Sequence, residues 1–185
     1  MTNSPPSTAA TVTYRLDPAH SLVELSAKHM MFTTVKGRFT GVTGTIVESA
    51  NDPQGSSSVQ AEIDAATLST GDEKRDQHLR SADFLDVANH PTITFKSTRI
   101  EGSGEHYRVI GDLTIHGTTR EVTLETTLNG TGKSPFGAEL VGYSAETEIN
   151  RKDFGLNWNV ALEAGGVLVS DRIKILLEIQ AVREG

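Results

Sequence analysis

Tyr107-Arg108-Val109-Ile110-Gly111-Asp112-Leu113-Thr114-Ile115 sets Val109, Gly111, Leu113 and Ile115 on one side and Arg108, Asp112 and Thr114 on the other. A period of two belongs to a strand with one apolar and one wet face. His116-Gly117 follows as a turn signal, and Val122-Thr123-Leu124-Glu125-Thr126 resumes the alternation. The same pattern recurs in Ser21–Lys28, Val59–Ala65, Val141–Ile149 and Ile173–Ala181, and further strands are expected at 12–16, 38–47 and 92–100. Asn51-Asp52-Pro53-Gln54-Gly55, Glu101-Gly102-Ser103-Gly104 and Asn129-Gly130 read as turns between them. Many short strands joined by tight turns point to an all-β barrel or sandwich.

Only Gly71–Arg80 reads as helical, and its polarity makes it a surface helix leading into Asp83-Phe84-Leu85. Two apolar irregular segments, Met30–Val35 and Asp153–Trp158, suit short 3-10 turns that plug a barrel end. Residues 1–11, rich in Ser, Thr, Pro and Ala, are expected to form a disordered tail before a domain spanning 12–185.

The chain of 185 residues is long enough for one sizeable core, and 36% hydrophobic with 22% charged residues is ordinary for a globular protein. A net charge of −7 and no basic cluster argue against nucleic acid as a partner. No apolar run is long enough for a membrane helix, so no stable membrane insertion is expected. The absence of Cys removes disulfides, thiol catalysis and Cys-based zinc sites. Met1–Thr8 has neither a basic nor an apolar signal region, so the expected location is cytoplasmic, the alternative being a mature secreted form with a new initiator Met.

In a single-layer barrel the apolar face must point inward. The inferred inner faces hold Ala27, Ala61, Ala65, Gly111, Ala145 and Ala181, and aromatics are only 5% of the chain. Small linings leave room for a ligand, while alternating Val, Ile and Ala is also what a filled core looks like; both readings stay open. Candidate lining residues are Val23, Leu25, Phe39, Val109, Leu113, Leu124, Ile173 and Ile175. Phe32, Phe84, Phe95, Phe154 and Trp158 are the other large hydrophobes placed to line or close a barrel end, and His29 is grouped with them.

Asp17-Pro18-Ala19-His20-Ser21 contains the residue types of a nucleophilic triad, but neighbours on a strand point to opposite faces; Asp17 and His20 instead suit a turn tie. His29, His78 and His116 lie on separate elements, and no His-x-His or His-x-x-x-His occurs, so no metal is expected. Arg75, Asp76, His78 and Arg80 form the densest polar cluster, either a solvated helix face or a gate touching a lipid headgroup. Arg151 and Asp153 look like a pair pinning the Phe154 turn.

Leu16-Asp17-Pro18-Ala19-His20-Ser21, Lys28-His29-Met30, Val35-Lys36-Gly37-Arg38-Phe39, Ser69-Thr70-Gly71 and Arg75-Asp76-Gln77-His78-Leu79-Arg80-Ser81-Ala82-Asp83-Phe84 stand in this order. Pro91-Thr92-Ile93-Thr94-Phe95, Gly111–Gly117, Asn150-Arg151-Lys152-Asp153-Phe154-Gly155 and Val169-Ser170-Asp171 follow. Together they resemble the bacterial YceI-like family of polyisoprenoid-binding proteins across about residues 14–181, with Tyr14 where such openings often carry Trp. The resemblance implies an antiparallel lipocalin-like β-barrel of about eight strands, with one short helix and short 3-10 turns. It further implies a non-enzymatic protein that holds an isoprenoid lipid or isoprenoid quinone for transport or storage, needs no cofactor, and forms a homodimer. Two rival readings remain: an enzyme using His29 or His78 as a base, and a stress-related interaction protein with a filled barrel.

Overall fold

The computed structural model describes residues 10–51 and 55–185. The tail expected at 1–11 falls outside these residues except for Ala10 and Thr11, and Thr11 already pairs with Ser49. The turn expected at 51–55 likewise includes residues outside them. Among the described residues ten strands are formed: β1 (Thr11–Leu16), β2 (Leu22–His29), β3 (Thr33–Phe39), β4 (Val42–Ser49), β5 (Ser58–Asp64), β6 (Thr92–Ser103), β7 (His106–Ile115), β8 (Thr118–Lys133), β9 (Glu139–Asn150) and β10 (Arg172–Arg183). One helix, α1 (Glu73–Arg80), and 3-10 turns at Pro18–His20, Ala65–Thr67 and Arg151–Phe154 interrupt them.

Every strand pairing is antiparallel. The order β1-β4-β5-β6-β7-β8-β9-β10 closes on itself through β10 and β1, a ring of eight. β1 takes Ala181–Arg183 of β10, and β2 takes Lys174–Glu178, so β1 and β2 are two halves of one edge broken at Pro18–His20. The break has a local cause. Pro18 has no N–H to give a ladder, and the Asp17 carboxylate caps the turn by accepting from Ala19 N at 3.0 Å. Closure through β1 and β10 removes most of the exposed edge an open sheet would carry, leaving β3, which pairs with β2 and by one bridge, Arg38 to Ser69, with the segment before α1.

The two ends of the barrel differ. One carries the hairpins β6–β7 and β8–β9 and the β4–β5 connection. The other, the helix end, carries α1, the Arg151–Phe154 turn, the His116-Gly117 turn and the connection to β10. Gly111 is needed where β6 and β7 approach: a Cβ there would lie 2.4 Å from Lys96 O and 2.7 Å from the Phe95 ring. The inward ring of Phe95 thus occupies the space that the missing side chain leaves.

Some expectations fail here. The strand expected at 38–47 is divided, β3 ending at Phe39 and β4 starting at Val42. Asn129-Gly130 is not a turn, because β8 runs through it for 16 residues. The extra residue is absorbed as a bulge between Leu128 and Gly130, and Asn129 Nδ2 donates to Ser144 Oγ at 2.7 Å. Met30–Val35 does not plug the barrel: Thr33–Val35 belongs to β3, and Met31 and Phe32 sit 62% and 82% exposed at the tip of the β2–β3 hairpin. The plug is made instead by Arg151–Phe154, whose Phe154 is 1% exposed.

Candidate functional site

The inner face of β10 carries Ile173, Ile175, Leu177 and Ile179, which pack against the core yet keep part of their surface accessible. Leu25, Ala61, Val122 and Leu124 behave alike. These side chains point away from solvent, so the surface they keep faces an internal space. That space is a cavity of about 570 Å³, within the usual range of small-molecule sites, on the order of 300–1,000 Å³. Its walls are Val, Leu, Ile, Phe and Ala from β1 to β10, with Ala27, Ala61 and Ala145 supplying width.

Polar groups reach the cavity mainly near its two ends. At the helix end they are Lys28, His29, Thr70, Arg75 and Arg151. Arg151 is 2% exposed and cannot be hydrated, so it spends its donors on backbone. Its Nε donates to Ser170 O at 3.0 Å and its Nη1 to Leu156 O at 2.6 Å and Trp158 O at 2.9 Å, with Asp171 3.6 Å away as counter-ion. One guanidinium therefore ties the 3-10 turn to the chain entering β10. The partner expected for it, Asp153, is exposed; the fork of Arg151 is filled by carbonyls that only the fold brings together.

Toward the hairpin end the walls include Glu48, Ser49, Ser57, Tyr107 and Tyr143. The Tyr143 hydroxyl donates to Glu48 Oε1. Burial first, and then this bond to a carboxylate, push the Tyr143 phenol well above its ordinary value. With Ser49, Ser57 and Tyr107 nearby, the pair marks this end of the cavity as polar for any occupant.

Val23, Leu25, His29, Phe39, Phe84, Phe95, Val109, Leu113, Leu124, Ile173 and Ile175 all border the cavity, as does Arg75. Phe32 does not, being at the exposed hairpin tip. Phe154 is packed solid beneath the end of the barrel and leaves no surface to a ligand. Trp158 lies outside, edge-on to His78 at 4.7 Å between ring centroids and tilted against Phe84 at 5.1 Å. The cluster expected at α1 is divided. Asp76 is buried and accepts from Thr70 N at 2.8 Å and from the Thr70 hydroxyl, while Arg75 Nε donates to the same hydroxyl at 2.8 Å. His78 pairs with Asp83 at 2.9 Å, and Arg80 donates to Leu68 O at 2.7 Å. Asp76 and Arg80 therefore tie α1 to the Leu68–Thr70 segment before it and His78 ties it to the segment after it, and the three do not form a ring at the barrel mouth. A helix turns about 100° per residue, so these four side chains point in different directions, and of them only Arg75 falls on the cavity side.

Asp17 and His20 do tie their turn, with His20 Nδ1 to Asp17 Oδ2 at 2.7 Å, and this bond holds the Asp17 carboxyl below the usual range. Ser21 bonds instead to Gln180 O, so Asp17, His20 and Ser21 do not form a relay. His29, His78 and His116 do not converge: His78 faces Asp83, and His116 packs on His90. Tyr143 and Glu48 escaped the sequence reading because they lie 95 positions apart.

Comparison with known proteins gives consistent results. A family model described as a YceI-like domain matches residues 14–181. Protein YceI of Escherichia coli O157:H7 is 32% identical over 178 residues, covering 95% of this chain and 90% of that one. Among solved structures, Burkholderia cenocepacia BcnA superposes with a TM-score of 0.75 at 24% identity, covering 89% of this chain and 98% of the other. A polyisoprenoid binding domain from Saccharophagus degradans superposes with a TM-score of 0.66 at 14% identity, covering 92% and 98%. These last two likenesses concern the fold, an eight-stranded antiparallel barrel. With the match spanning the barrel from β1 into β10, the chain belongs to the YceI-like family.

Proposed function

We propose that this protein encloses a long apolar chain of isoprenoid type, a lipid or a quinone tail, and carries or stores it without transforming it. The observation that carries the reading is the cavity itself: inward-pointing side chains on β2, β5, β8 and β10 that remain accessible around about 570 Å³ of apolar-walled space. Burying each methylene of such a chain contributes about 0.8 kcal/mol, so several isoprene units bind without polar contacts. Headgroup discrimination is then weak and falls to Lys28, His29 and Arg75 at the helix end. The polyisoprenoid binding of the Saccharophagus domain is consistent with this choice of ligand.

A catalytic reading is less well supported. His29 is the imidazole on the cavity wall, and among the described residues it has no carboxylate partner to orient it as a base. The proposal extends to a cytoplasmic homodimer, which cell fractionation and light scattering after size exclusion test directly. The central test is native mass spectrometry of untagged protein followed by organic extraction. An apolar molecule near one per barrel is expected, and repeated preparations that yield none would overturn the proposal.

A further inference from the structure

A second cluster lies outside the cavity, at the helix end. Asp86 and His90 belong to the connection between α1 and β6, and His116 to the β7–β8 turn. One ligand atom from each lies within 4.8 Å of the others, all three side chains are half-buried, and the two imidazole centroids are 4.7 Å apart. We propose that Asp86, His90 and His116 form a binding site for one borderline divalent cation of the zinc class.

Several observations beyond proximity support this. Four non-glycine residues among those described adopt a left-handed backbone, and two of them are Asp86 (φ 48°) and His116 (φ 53°). Such conformations carry a cost for residues with a Cβ and persist where the surroundings impose them. Here they aim two donor side chains from separate segments at one point. Gly117, next to His116, is at φ 73°, and a Cβ there would lie 2.9 Å from His90 Cε1. The turn therefore leaves room for the His90 ring. Backbone bonds from Asn89 N and His90 N to Asp86 O, at 3.0 and 2.8 Å, wind this stretch into one turn that sets His90 beside Asp86.

The donors are also disposed as ligands. Neither imidazole has a hydrogen-bond or ion-pair partner among the described residues, so each has a ring nitrogen to offer. The Asp86 carboxylate is fixed by Asn89, whose Nδ2 bridges its two oxygens at 3.1 and 2.9 Å and leaves each oxygen a further lone pair. Outer hydrogen bonds of this kind are what fix metal-bound carboxylates. Two imidazoles and one carboxylate are a three-ligand set for zinc, leaving a fourth position to water. Bonds of about 2.0–2.1 Å at tetrahedral angles need ligand atoms roughly 3.3–3.4 Å apart, a closure that side-chain rotation supplies. A carboxylate beside two imidazoles is a donor set that suits a cation, as does the net charge of −7. The sequence argued against a metal because it lacks paired His spacing; His90 and His116 are 26 positions apart and are joined only by the barrel.

The test uses untagged full-length protein, stripped with chelator and titrated with Co²⁺ and then Zn²⁺. One equivalent of Co²⁺ with visible absorption, displaced by Zn²⁺, is expected. His90→Gln and His116→Asn should abolish it, Asn tolerating the left-handed turn. Asn89→Ala should weaken it about 10–100-fold, and His106→Gln should leave it unchanged. Should a variant fail to fold, imidazole nitrogen spectra of the wild type decide: Zn²⁺ must shift the resonances of His90 and His116 and leave those of His20 and His29. Absence of binding, or one equivalent retained in both ligand variants, would overturn the proposal.

Discussion

Arg151 shows how much one buried side chain can carry. It is 2% exposed and serves carbonyls of Leu156, Trp158 and Ser170. Arg151→Ala would leave those acceptors buried and unpaired, and a loss of about 3 kcal/mol or more in urea unfolding is expected. Arg151→Lys should recover only part of it, since an ammonium lacks the planar fork. Tyr143 predicts a pH dependence. Its phenol is raised by burial and by Glu48, whereas the unfolded chain ionises near its ordinary value, about 10. Above that pH the unfolded state binds fewer protons than the folded one, so stability falls as pH rises. Equilibrium unfolding from pH 8 to 11 should show this slope, and Tyr143→Phe should flatten it. A mutant with an unchanged slope would mean that another group dominates.

At the scale of the element, β8 offers the sharpest probe of what fills the barrel. Leu124 faces the cavity from β8, with Thr123 and Glu125 on the other side. Leu124→Trp keeps the surface apolar and adds volume. With open space beside it, the indole should be accommodated with little change in stability while bound lipid falls. In a filled core the same change would cost about 1–3 kcal/mol and release nothing. Urea unfolding and lipid content measured on one preparation separate the two outcomes. The strands were largely legible because each has one dry and one wet face, and period-two alternation records that directly. What was not legible depends on geometry that spacing does not carry. Asn129-Gly130 has the composition of a hairpin turn, but a bulge in β8 absorbs it. Phe32 and Phe154 both stand in apolar irregular segments, yet one ends at a hairpin tip and the other beneath a 3-10 turn. Of the polar residues of α1, the helix turns only Arg75 toward the cavity.

For the molecule as a whole, the interior and the rim have different chemistry. The walls are apolar through the length of the barrel, and polar side chains gather toward its ends. Such a container selects for length and greasiness more than for functional groups, so its occupancy should follow whichever long apolar chain is abundant nearby. The seam of the ring also lies between the first strand and the last: Tyr14–Leu16 is hydrogen-bonded to Ala181–Arg183. Contacts so distant in sequence form late and close slowly. During synthesis, β1 waits for its partner until residue 183 has left the ribosome, with the apolar wall open and the edges of β1 and β9 unpaired. Nearly the whole barrel is therefore made as an open, greasy sheet, and the act of closing the seam is also the moment at which the interior is separated from water.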